Sequence, residues 1–169
     1  MRLSEESHER VERFFRAHRR DPGLVLPPVC VHAGLLAWML MKFVGAGAIT
    51  FDRHVFVTPS LIERDSAGRA VISSRLLVHE AAHVLQYEER GFARFLWVYL
   101  SGYWRALRSG GRWDAGGRAA AYLSVEEERE ARAAENAFVM ENRALSVEQA
   151  EASTPGSYGV RRLTPFRES

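Results

Sequence analysis

Cysteine is almost missing from this chain. Cys30 stands alone among 169 residues, so no internal disulfide can form and any metal site must rest on histidine and carboxylate. Lysine is equally scarce, Lys42 being the single example, and the 23 basic residues nearly balance 21 acidic ones. A formal charge of +2 excludes a strong electrostatic hold on nucleic acid, and the arginine bias reads as codon composition rather than phosphate binding. The opening MRLSEESHERVERFF is charged and amphipathic and lacks the apolar core of a secretory signal, which makes the cytoplasm the expected compartment; export by a dedicated machine would leave no such mark. The long apolar run from Cys30 to Phe51 is also not a clean membrane span. Gly34, Gly45 and Gly47, followed by β-branched Ile49 and Thr50, divide it into a strand at 28–32, a buried helix over about 34–44 and a strand at 47–51.

What is present suits one globular domain: 47% hydrophobic and 26% charged residues. The chain divides into an N-terminal amphipathic helix within 1–24, a main domain over 25–145 and an irregular tail over 146–169. The expected class is α+β, mostly helical, with a small sheet or hairpin beside the segment RLLVHEAAHVLQYEER (75–90). That segment carries chemistry. His79, Glu80 and His83 stand in the order H-E-x-x-H, and at 3.6 residues per turn the two histidines share one helix face, where both can reach one tetrahedral Zn²⁺. Glu80, one residue along, can reach a metal-bound water without ligating. Ser73 or Ser74 caps this helix and Gly91 ends it; the apolar residues on nearly every side predict burial, which obliges the polar trio to find partners.

Elsewhere, residues 4–20 read as a helix opened by Ser4 with Val11, Phe14 and Phe15 on one stripe, and with His8 and His18 at the surface. Asp52-Arg53-His54 reads as a turn and Val55-Phe56-Val57 as the second strand of a hairpin ending at Pro59. Residues 54–58 are one place where an extended substrate could add a strand, and His32 and His54 are either substrate contacts or, more simply, structural or exposed. Residues 62–72 read as a polar turn. The aromatic stretch 92–107 reads as a helix broken at Gly102, its Trp and Tyr residues forming core or cleft wall; its polar face is thin for an interfacial membrane helix, which makes membrane association a secondary reading. The glycine-rich SGGRWDAGGR that follows reads either as a lid or as a plain connector. Ser124 and Glu127 match a capping box opening a helix to about Asn142, and from Ala152 the tail reads as irregular.

A catalytic zinc site needs a third protein ligand and an open position. Position 86 is Gln and 89 is Glu, so no third histidine follows closely, and a carboxylate from the later helix is required. Glu128 is the choice, because Ala131 on the same face lets the two helices approach. Glu127 is committed to the cap, and Glu130 points roughly 160° away around the axis at 100° per residue.

H-E-x-x-H followed by E-x-E-A (Glu128, Glu130, Ala131) resembles the gluzincin clan of zinc metallopeptidases, in which the first Glu of such a segment is the third ligand. More narrowly, HEAAHVLQ, VCVHAG (29–34) and GAGAITF (45–51) resemble segments of a bacterial metallopeptidase-like domain (HExxHxxQ) of unknown function found beside contractile injection systems. The likeness covers roughly residues 28–135. Ala81 replaces the family's usual Leu and Tyr87 its second Gln, neither of them a ligand. The resemblance implies a zincin-like fold, a Zn²⁺ cofactor and a zinc-dependent peptidase acting on a protein or peptide substrate, with Glu80 as base. It equally allows a non-catalytic zinc-binding module that serves structure or targeting for a secretion system or toxin. Tyr103, Tyr122 and Arg132 are the candidates for substrate or oxyanion contact.

Overall fold

A computed structural model describes residues 3–35, 37–39, 47–64 and 70–153. The fold is α+β and mostly helical. Helix α1 (Glu5–Arg19) starts where the Ser4 Oγ accepts the Ser7 amide at 3.3 Å and stops at Arg20, which turns into the left-handed region at φ 54°. It buries Val11, Phe14 and Phe15, and the Phe14 ring meets Phe138 edge to face at 5.2 Å. Of the helix expected over 34–44, residues 35 and 37–39 are helical; 36 and 40–46, with Lys42, lie outside the described residues, as does the tail beyond 153.

Strands β1 (Cys30–His32), β2 (Ala48–Phe51) and β3 (His54–Val57) form one sheet in the order β1-β3-β2. β2 and β3 make the expected antiparallel hairpin, turning at Asp52 with φ 54°, while β1 runs parallel to β3. Pairing on both sides makes β3 central, so the open edges of this sheet among the described residues belong to β1 and β2, not to residues 54–58. Residues 62–72 correct the polar-turn reading as well. Outside 65–69, which lie beyond the described residues, they form β4 (Ile62–Arg64) and β5 (Ala70–Ile72), an antiparallel pair in which Ile62 faces Ile72 and both pack against the main core. Three β-branched residues at the ends outweigh the polar centre of this segment.

Four helices follow. α2 (Ser74–Arg90) carries the H-E-x-x-H residues and is capped by the Ser73 Oγ, which accepts the Leu76 amide. Gly91 joins it directly to α3 (Phe92–Gly110) at φ 77°, a turn that a side chain would strain. α3 runs unbroken through Gly102, contrary to the expected break, because one glycine costs a packed helix only about 1 kcal/mol. The glycine-rich stretch is no long loop either: only 111–114 separate α3 from α4 (Ala115–Ser124). The Asp114 carboxylate caps α4 by accepting the Gly117 amide at 2.7 Å, and a Cβ on Gly117 would collide with the Arg112 carbonyl. The glycines make the tight entry into α4. α5 (Glu126–Ser153) is longer than expected, and Ser124 does not box its start: that hydroxyl belongs to α4 and donates to the Ala121 carbonyl at 2.7 Å. A two-helix corner at Val125 replaces the loop that a capping box would need.

The core joins α1, the sheet, α2 and α5: Val11 and Phe15, Val31, Val55 and Val57, Val78, Ala81 and Val84, Ala131 and Phe138 are all buried in one cluster. α2 packs most extensively on α5, with Ala81 and Ala131 fully buried, so small side chains allow the approach. β2 lies along α2 on the other side.

Candidate metal centre

The helical repeat places His79 and His83 one turn apart on α2, their ring centroids 5.1 Å from each other. Both are almost wholly buried, as are Glu80 and Glu128. Glu128, two residues into the first turn of α5, comes between the imidazoles: Oε2 lies 3.5 Å from His79 Nε2 and Oε1 lies 3.3 Å from His83 Nε2. One ligand atom from each of the three falls within 4.8 Å of the others. The structure therefore brings together the three residues named from the sequence as ligands.

The spacing tests whether a metal fits. Bonds of about 2.0–2.1 Å to a tetrahedral Zn²⁺ set neighbouring ligand atoms roughly 3.3–3.4 Å apart. The two nitrogen–oxygen separations, each to a different oxygen of the Glu128 carboxylate, lie near that edge. Glu128 Oε2 is buried and accepts no hydrogen bond among the described residues, an orphaned position that a cation would satisfy. The donor set, two imidazoles and one carboxylate, suits a divalent ion.

The ring nitrogens turned away from this point are held. His79 Nδ1 meets Glu135 Oε2 at 3.1 Å, and Glu135 is paired in turn with Arg75. His83 Nδ1 meets Gln86 Oε1 at 2.8 Å, and the Gln86 amide donates to the Glu127 carbonyl and, at 2.8 Å, to Glu130. Such outer partners fix the tautomer that leaves Nε2 free to ligate. Glu127, expected in a cap, instead pairs with Arg90 and ties α5 to the end of α2. Tyr99 on α3 donates to Glu128 Oε1 at 2.8 Å.

The electrostatics follow from burial and proximity. Burial alone would push the His83 pKa down, but its contacts with Glu128 and the nearby Glu80 charge reverse this and raise it. Burial would raise the Glu128 carboxyl, yet the close approach of the His79 and His83 imidazoles holds it far below the carboxylate range. Tyr99 and Tyr122 are raised by burial and by the same carboxylate, so both phenols stay protonated as donors.

Glu80 points its Oε2 at the Thr50 hydroxyl on β2, which donates at 2.6 Å, and Tyr87 secures the same strand through the Thr50 carbonyl at 3.3 Å. A cleft of about 1490 Å³ opens here, walled by β2 on one side and by α3 and α4 on the other, with His79, Glu80, His83 and Glu128 at its base. Tyr103, Tyr122 and Arg132 all line it, and the Arg132 guanidinium lies 5.5 Å over the Tyr122 ring. Arg132 Nε is buried without a hydrogen-bond partner among the described residues. His32 and His54 are elsewhere: they contact each other at 2.9 Å and do not line the cleft.

Sequence reasoning missed Thr50, Tyr99 and Glu135. Glu135 lies seven residues after Glu128, two helical turns along the same face, a spacing that would have marked it. Thr50 and Tyr99 reach the site only through tertiary packing, and no local pattern announces them.

No curated protein and no solved structure matches this chain. A family model does match, that of the eCIS core domain, eCIS denoting the extracellular contractile injection system, over residues 3–91, from α1 to the end of the histidine helix. That span is more than half of the sequence and agrees with the link to contractile injection systems that the motif resemblance implied, and the chain belongs to the eCIS core domain family.

Proposed function

We propose that this protein is a zinc-dependent peptidase of a contractile injection system. The observation that carries the reading is the convergence of His79, His83 and Glu128, one ligand atom from each within 4.8 Å of the others, at the base of an open cleft, with Glu80 beside them and not needed as a ligand. Zinc in such a set lowers the pKa of bound water towards about 7 and polarises a carbonyl. The chain supplies the rest. Thr50 fixes one oxygen of Glu80, so Oε1 takes a proton from water and passes it to the leaving amine. Tyr99 and Gln86 hold Glu128 and His83 in place. An extended peptide fits along the open edge of β2, and Arg132 on α5, which lines the cleft and makes no ion pair among the described residues, is a donor that could meet negative charge on substrate.

Casein hydrolysis by the zinc-loaded protein, compared with Glu80→Gln, tests this. Rate should fall by about 10²–10⁴ with zinc content unchanged. Equal rates in the two proteins would refute the assignment of Glu80.

One observation favours a second reading, a non-catalytic metal-bearing module that serves structure or targeting. The family match ends at Gly91, before Glu128, Tyr99 and Tyr122, so the matched segment holds two of the three ligands and not the far wall of the cleft. On this reading His79→Ala impairs assembly with the injection apparatus while Glu80→Gln does not.

A further inference from the structure

The hairpin of α3 and α4 presents a surface that the metal centre does not use. Of four tryptophans in the chain, three lie here and are exposed: Trp97 by 75%, Trp104 by 51% and Trp113 by 56%. Tryptophan is ordinarily among the more buried residues. At 100° per residue, Arg94, Trp97, Ser101, Trp104, Arg105 and Arg108 fall within roughly 100° of arc on α3, opposite Phe95, Tyr99 and Tyr103, which face the cleft side. Trp113, in the turn, stands 6.0 Å from the Trp104 ring and extends the face.

Charge is segregated onto the same hairpin. Residues 92–124 contain five arginines and a single acid, Asp114, whose carboxylate is taken by Arg112 and the Gly117 amide. Arg94, Arg105 and Arg108 form no ion pair among the described residues. The rest of the chain is therefore net negative while this face is positive.

We propose that the outer face of α3, with Trp113, docks on an anionic lipid bilayer. Indole rings settle at headgroup depth, where their apolar body and polar N–H are both satisfied, and arginines between them reach lipid phosphates while laying their stems along the apolar boundary. No described helix is long and apolar enough to cross a membrane, so the element lies in the interface. The sequence made the polar face look thin because arginine and tryptophan share it; only the packed fold shows that this mixed face, and not the tyrosine side, meets solvent. Leu100 borders Trp97 and Trp104 and also lines the cleft, so docking would set the cleft mouth beside the bilayer.

Flotation of the full chain with vesicles tests this independently of any peptidase activity. The protein should float with phosphatidylcholine vesicles containing about one-third phosphatidylglycerol and remain unbound with phosphatidylcholine alone. Arg94→Gln/Arg105→Gln/Arg108→Gln should weaken binding roughly 100-fold, about fivefold per arginine, and Trp97→Ser/Trp104→Ser should abolish flotation, both with unchanged circular dichroism and zinc content. Two results would overturn the proposal: a wild type that floats with neither vesicle, whether or not it forms dimers that the tryptophan variant loses, or a tryptophan variant that floats as well as wild type.

Discussion

Helix α2 buries eleven consecutive residues from Leu77 to Tyr87, whereas α3, two residues longer, buries only Phe95 and Leu107. The two follow one another across Gly91 and wall the same cleft, yet they answer to different constraints. A helix buried on all sides cannot leave a polar side chain to water, so His79, Glu80 and Gln86 are met from β2 or α5, and His83 by Gln86 on the same helix. A helix buried on one side can place anything on the other. Function on α2 is thus written in a network of partners, and on α3 in an unusual choice of exposed residues.

The sharpest way to break this comparison is through stability. Phe138→Ala, which removes the ring packed against Phe14 between α1 and α5, should destabilise the fold by about 3–5 kcal/mol in chemical denaturation. A loss under 1 kcal/mol would mean that α5 is not anchored in the core that carries the metal ligands. A smaller effect is expected one layer out from the site. Glu135→Ala leaves His79 Nδ1 without its carboxylate and should weaken zinc affinity about 10–100-fold in a chelator competition, with stoichiometry retained at saturating zinc.

The protein's pH response should change sign with metal. The raised His83 pKa means that, without metal, this imidazole contributes stability in full below its ordinary value of 6.5, and that this is lost as pH rises through the raised value. Glu128, depressed far below the carboxylate range, stays ionised throughout and adds no slope there. In chelator the melting temperature should therefore fall as pH rises above 6.5. With zinc it should rise across the same range, because proton loss from the ligands favours the metal. Parallel curves would contradict the shared site. The smallest effect belongs to the outer hairpin: Trp97→Ala should change stability by less than about 0.5 kcal/mol, since the indole has little to lose by truncation.

How far the sequence reaches follows the same division. His79, Glu80 and His83 are legible because helical periodicity alone fixes their common face, and Glu128 because a small residue one turn on marks a close helix approach. α1 is legible from its cap and stripe. β4 and β5 are not, since a short strand pair is decided by its packing on the core and not by its own polarity. The Gly110–Gly117 region misleads because glycines that permit tight helix entry look, in sequence, like a flexible loop. Ser124 and Glu127 have the spacing of a capping box, but the preceding helix claims the serine and Arg90 the glutamate. Thr50 and Tyr99 come from chain segments about thirty residues away from the groups they serve.

Elemental analysis of the purified wild type beside His79→Ala and Glu128→Ala tests the central claim most directly. The wild type should carry about one equivalent of zinc and each variant less than about one tenth. A wild type that takes up no zinc at saturation, or a Glu128→Ala protein that keeps its full equivalent, would show that these side chains do not form the metal centre.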